Sequence, residues 1–136
     1  MEITVGTTIN LPVGKVWEYW TKPEHITGWN FASGDWWSPR AENDIRPGGK
    51  LSWRMEARDG SMGFDFSGKY LKVEHFSELE YVLDDGRNVK ILFTDAGGKT
   101  IMTETFEAEG INSIELQREG WQNILNNFKK YSELKG

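Results

Sequence analysis

The chain has 136 residues, 21 acidic and 16 basic side chains and a net charge of −5, which argues against nucleic-acid and anionic-membrane partners because both need clustered lysine and arginine. Cysteine is absent, excluding disulfides, thiolate metal sites and cysteine nucleophiles. The length suits one domain that buries roughly 68% of the surface its unfolded chain exposes.

Glu2 to Ile9 is rich in Ile, Val and Thr and predicts a strand. Pro12 suits the first turn of a helix, and Val13, Val16, Trp17 and Trp20 recur at three- and four-residue spacing. Pro23 ends that helix, and Glu24 to Gly28 adds a second short turn. Residues 29–48 show no period and predict a loop with one short strand. Lys50 to Ala57 alternates, with Leu51, Trp53, Met55 and Ala57 on one face. Asp59-Gly60 signals a hairpin. Ser61 to His75 alternates again, with Phe64, Phe66, Gly68 and Tyr70 sharing a face. Strands near Glu78–Leu83 and Asn88–Thr94 are joined by Asp84-Asp85-Gly86, and Gly97-Gly98 turns into a last strand, Lys99 to Ala108.

The C-terminal segment predicts a long helix. Asn112 is the expected N-cap, Glu115 completes a capping-box pattern, and Ile111 with Leu116 fits a hydrophobic staple. Ile114, Gln117, Trp121, Ile124, Leu125, Phe128 and Tyr131 form one stripe. This is the only predicted element long enough to cover an antiparallel sheet, which leaves a cleft between them. No apolar run reaches the length of a membrane span. MEITVGTTINLP lacks a basic n-region and an apolar h-region, so no signal peptide is expected, and a cytoplasmic location is.

Several stretches carry a family resemblance. They are Val16-Trp17-Glu18-Tyr19-Trp20-Thr21 with Pro23-Glu24-His25-Ile26 and Trp29-Asn30, then Asn43-Asp44-Ile45-Arg46-Pro47-Gly48-Gly49. Asp59 to Gly68 follows, and Glu115-Leu116-Gln117-Arg118, Gly120-Trp121-Gln122 and Asn126-Asn127-Phe128 complete the set. In this order and spacing the chain resembles a START-like (SRPBCC, helix-grip) protein of the activator of heat-shock protein 90 ATPase homologue-like branch. The resemblance implies an α+β helix-grip fold: one domain over residues 1–136, with six or seven curved antiparallel strands around the C-terminal helix. It implies two short helices after the first strand and a cavity for a small apolar molecule. It carries no shared catalytic constellation. A chaperone partner is an alternative that the family name raises.

Seven tryptophans, five of them in the first 40 residues, suit a core or the wall of a cavity for a flat apolar ligand. The face assignments put Trp53, Met55, Phe64, Phe66, Tyr70, Phe93, Met102, Trp121, Leu125 and Phe128 toward the sheet–helix interior, with Trp37 added from the loop. Glu104 alternates with Met102 and Phe106, so it faces the helix as well. A carboxylate there either binds a polar ligand group, acts as a general acid or base, or pairs with an arginine. Asp65, between two inward rings, belongs on the convex face, and Asp44 with Arg46 forms a local ion pair. His25 is a candidate for the cleft mouth. His25 and His75 have no ligand spacing around them, so no metal is expected. There is no G-x-G-x-x-G, Walker loop or G-x-S-x-G elbow, and no cofactor is expected. The expected role is binding of a small hydrophobic or aromatic molecule. A protein-interaction module and a cyclase, dehydratase or hydrolase using Glu104 or His25 are the rivals. Monomer and homodimer both fit.

Overall fold

A computed structural model describes residues 1–136. Strand β1 (Glu2–Ile9) turns Ile3, Val5 and Ile9 inward by alternation. Helix α1 (Val13–Thr21) buries Val16, Trp17, Tyr19 and Trp20. It stops at Lys22, which is extended at ψ 130° because Pro23 disfavours helix before it. Pro23 then opens the four-residue α2 (Pro23–Ile26).

The remaining strands are β2 (Trp36–Trp37), β3 (Ala41–Asn43), β4 (Lys50–Ala57), β5 (Gly63–Glu74), β6 (Glu78–Leu83), β7 (Asn88–Asp95) and β8 (Thr100–Glu107). They form one antiparallel sheet in the order β1-β8-β7-β6-β5-β4-β2, and β3 lies farther along the same edge of β4. The sheet has eight strands rather than six or seven. The extra strands come from residues 29–48, where β2 and β3 replace the single short strand expected. Gly60 and Gly86 take φ of 77° and 90° in the two Asp-Gly hairpins. The register between β5 and β6 shifts at Leu71, so Tyr70 and Val73 both reach the inner side while Leu71 is exposed. Such a bulge adds local bend and twist.

Helix α3 (Ile114–Lys135) lies across the concave face. Its N-cap is Ser113, whose Oγ accepts from the Leu116 amide at 3.1 Å, rather than Asn112. The Glu109 carboxylate accepts from the backbone amides of Ile111 and Asn112 and from Asn112 Nδ2, which commits Asn112 to the preceding loop. The expected staple does not form, because Ile111 is 91% exposed.

One polar stripe of α3 runs along the open edge of β1. Arg118 Nη1 donates to the Thr4 carbonyl at 3.3 Å. Gln122 Oε1 accepts from the Gly6 amide at 3.4 Å while its Nε2 donates to the Gly6 carbonyl at 3.1 Å. Lys129 Nζ donates to the Thr8 carbonyl, and Glu133 Oε2 accepts from the Asn10 amide at 2.8 Å. The helix thereby satisfies the backbone groups that an edge strand presents to other chains. No helix is long and apolar enough to cross a membrane.

Candidate functional site

Two elements divide the concave face. Helix α1 lies over one part of it, where Trp17 meets Phe93 edge-on at 5.2 Å between ring centroids. Trp20 stacks on Trp29 at 4.4 Å, and both rings meet Phe128 of α3 edge-on at 4.9 and 5.0 Å. That part is solid core. The other part, between the β4–β5 hairpin and the first half of α3, holds a cavity of about 340 Å³.

Rings from β4, β5, β6 and α3 build most of the cavity wall. Trp53 of β4 and Phe66 of β5 are register partners, with centroids 5.6 Å apart. Phe66 meets Tyr81 at 6.2 Å and Trp121 at 5.8 Å. Trp121 is fixed by stacking on Phe106 of β8 at 3.9 Å and 9°. Trp20, Trp29 and Asn30 close one side; Leu116, Gly120 and Ile124 of α3 form another. Exposed Phe64 and Leu116 mark the opening, and Arg87, Glu109 and Asn112 add polar groups to the wall.

Of the residues assigned to the interior, the structure brings Trp53, Met55, Phe64, Phe66, Glu104 and Trp121 together on this wall. It places the other expected residues elsewhere. Phe93, Met102, Leu125 and Phe128 are buried in the core. The sequence reading treated α3 as the sole cover of the sheet, and α1 covers the rest. Tyr70 is buried too; its hydroxyl donates to Asn43 Oδ1 at 2.6 Å, and Asn43 Nδ2 donates to the last carbonyl of α1, at Thr21. Tyr70 is therefore an anchor for the helix end. Trp37 stands opposite Glu56 of β4 and is exposed, while its neighbour Trp36 packs on Phe64. One residue along a strand reverses the face.

His25 is also away from the cavity. Its Nδ1 lies 2.7 Å from the Tyr131 hydroxyl, and its Nε2 is 3.8 Å from Glu18, so it ties α2 to α1 and α3. Asp65 pairs with Arg40 and Arg54 on the convex side, and Asp44 with Arg46 at 2.8 Å, as the sequence suggested. Tyr81 also belongs to the wall; the alternation of buried Leu79, Tyr81 and Leu83 is the signal that finds it.

Glu104 is the chemical oddity of the site. It lies on β8 between Val5 of β1 and Ile91 of β7 and is 3% exposed. It forms neither of the arginine or lysine pairs that would offset its burial. Desolvation alone pushes its carboxyl up to about 8, so it stays protonated at neutral pH. Burial also pushes the Tyr81 phenol well up, and the Glu104 charge adds to that shift. Three further polar groups, Trp20 Nε1, Trp53 Nε1 and Asn30 Nδ2, belong to lining residues but are shielded from the cavity and have no hydrogen-bond partner. Each such group costs about 1–3 kcal/mol when left unpaired. In contrast, the Trp29 indole donates to the Tyr19 carbonyl at 2.9 Å.

The sequence model of the family described as "Activator of Hsp90 ATPase homolog 1-like protein" matches residues 10–133. Among solved structures, the chain is similar to the AHSA1-like protein from Aeromonas hydrophila, with 41% identity and a TM-score of 0.94 over 100% of this chain and 94% of that one. A protein from Cytophaga hutchinsonii is 46% identical, with a TM-score of 0.85 over 98% and 93% of the two chains. A protein from Nitrosomonas europaea, 19% identical with a TM-score of 0.84 over 99% and 96%, shares the fold. A search of curated proteins gave no match. The family match over nearly the whole length, together with the eight-stranded sheet gripping a long C-terminal helix, shows that the chain belongs to the activator of Hsp90 ATPase homologue-like family of START-like, helix-grip proteins.

Proposed function

We propose that the protein binds a small, mostly apolar molecule in the cavity between the sheet and the first half of α3. The carrying observation is an aromatic-lined cavity of about 340 Å³ whose lining residues include the unpaired, buried Glu104. A cavity of a few hundred Å³, apolar with a few placed polar groups, is the usual form of a small-molecule site. The family membership supports the reading, since the helix-grip fold is consistent with hydrophobic ligand binding.

Thermal-shift and calorimetric titration with flat aromatics, fatty acids and sterols tests this role. Binding at a hundredfold excess over Kd stabilises the fold by about 2.7 kcal/mol, so at least one class raises the melting temperature by several degrees. A well-folded sample that no class stabilises contradicts the proposal.

A further inference from the structure

We infer, resting on the binding role just proposed, that the ligand is an organic cation: an apolar, ring-bearing body that carries an ammonium group, with Glu104 as its counter-ion. Glu104 is an acid without a partner. Desolvation is the only influence on its carboxyl; no hydrogen bond and no charge of the protein acts on it. Four side-chain atoms are both fully shielded and unpaired, on Trp20, Trp53, Asn30 and Ser132, and the Glu104 oxygens are not among them. The residue is 3% exposed and lines the cavity, so its carboxyl meets the cavity space. A buried carboxyl left unpaired is costly. An ammonium group offsets that cost more than any neutral group, because opposite charges attract most strongly where water is excluded.

The rest of the wall suits a cation. Trp53, Phe66, Tyr81 and Trp121 gather around the space, with centroids 5.6, 6.2 and 5.8 Å from Phe66 to the other three, and aromatic faces attract ammonium groups. The one cationic side chain on the wall is Arg87, and it is engaged: its Nε donates to Asp85 at 2.8 Å and its Nη1 to the Glu107 carbonyl at 3.5 Å. A second acid, Glu109, shares the wall. The groups that face Glu104 leave it free to respond to a bound charge. Strands β1 and β7 flank it with Val5 and Ile91, and the lining residues of α3 carry no titratable group. From β6, the Tyr81 phenol is pushed well up by burial and by the Glu104 charge. Glu109 is held below its usual range by the Asn112 amide. Glu104 is thus the wall group that changes charge between pH 7 and pH 9, since burial pushes its carboxyl up to about 8. A bound ammonium favours the carboxylate, so Glu104 gives its proton to solvent on binding and affinity rises with pH.

The test uses three probes of one shape: phenyltrimethylammonium, whose charge does not titrate, its neutral isostere tert-butylbenzene, and the anion benzenesulfonate. Affinities for the full chain come from calorimetry and ¹⁵N NMR titration at pH 7 and pH 9. At pH 9 the cation is expected to bind about tenfold more tightly than tert-butylbenzene. From pH 7 to pH 9 its affinity is expected to rise about tenfold, with the ionised fraction of Glu104, while that of tert-butylbenzene stays level. Calorimetry at pH 7 in buffers of different ionisation enthalpy is expected to show a proton released with the cation and none with the neutral probe. Glu104→Gln is expected to remove the pH dependence and to weaken cation binding at pH 9 about tenfold. The wild-type pH dependence provides the same test without a variant. A cation that binds no better than tert-butylbenzene at pH 9, or equally at both pH values, overturns the inference and leaves the binding role standing. Tightest binding of benzenesulfonate overturns it in the same way. No binding by any of the three, nor by the wider panel, overturns the binding role and this inference with it.

Discussion

Glu104 sets the behaviour of the site at the scale of a single residue. Its folded-state carboxyl sits at about 8, above its ordinary 4.5, so the folded protein holds a proton that the unfolded chain releases. Stability falls wherever the folded state binds more protons than the unfolded state as pH rises. The contribution is therefore fully present below about pH 4.5 and is lost as pH rises through about 8. Glu104→Gln keeps the shape and removes the titration. The variant is expected to match wild type near pH 4 and to exceed it in melting temperature at pH 9, the gap widening between. A gap that does not vary with pH contradicts the burial of an unpaired carboxyl. The position of Glu104 was legible in the alternation of Met102, Glu104 and Phe106, but its lack of a partner was not. Pairing depends on which side chains converge from β1, β6 and β7, and spacing along β8 carries no record of that.

Two features of α3 carry the account at the scale of elements. Ser113 caps its first turn, and removing such a cap costs about 1 kcal/mol. Ser113→Ala should lower stability by that amount in denaturant titration. The stripe of Arg118, Gln122, Lys129 and Glu133 holds β1 against the helix. Gln122→Ala leaves the Gly6 amide without its acceptor, so hydrogen exchange at Gly6 should accelerate while exchange in β6 stays unchanged. Equal exchange in variant and wild type would show that the stitching does not restrain the edge. Most strands were legible because one face of each is apolar, from Leu51, Trp53 and Met55 to Met102 and Phe106. The short β2 and β3 were not, since two or three residues show no alternation and their pairing rests on β4. The N-cap shifted because Asn112 has a competing partner in Glu109, which a local pattern does not reveal.

At the scale of the molecule, the sheet has more concave surface than α3 covers, and the sequence reading assigned all of it to one interior. The structure divides it into a core under α1 and a cavity under the first half of α3, which is why Phe128 and Phe66 have different fates. Phe128→Ala, in the solid half, should cost about 3–5 kcal/mol. Gly120 lies in α3 on the cavity wall, and a Cβ there meets no atom within 4 Å. Gly120→Leu should preserve or raise stability, since glycine inside a helix costs roughly 0.5–1 kcal/mol relative to alanine, and should weaken ligand binding at least tenfold. A variant that unfolds, or one that binds as before, contradicts the open space assigned to that wall. The central claim is that ligand enters the aromatic cavity rather than resting on an outer surface. Intermolecular nuclear Overhauser effects between a bound flat aromatic of the titration panel and the isotopically labelled protein test it most directly. The account predicts contacts to Trp53, Phe66 and Trp121 with none to Trp37; contacts confined to Trp37 and the outer face of the sheet would contradict it.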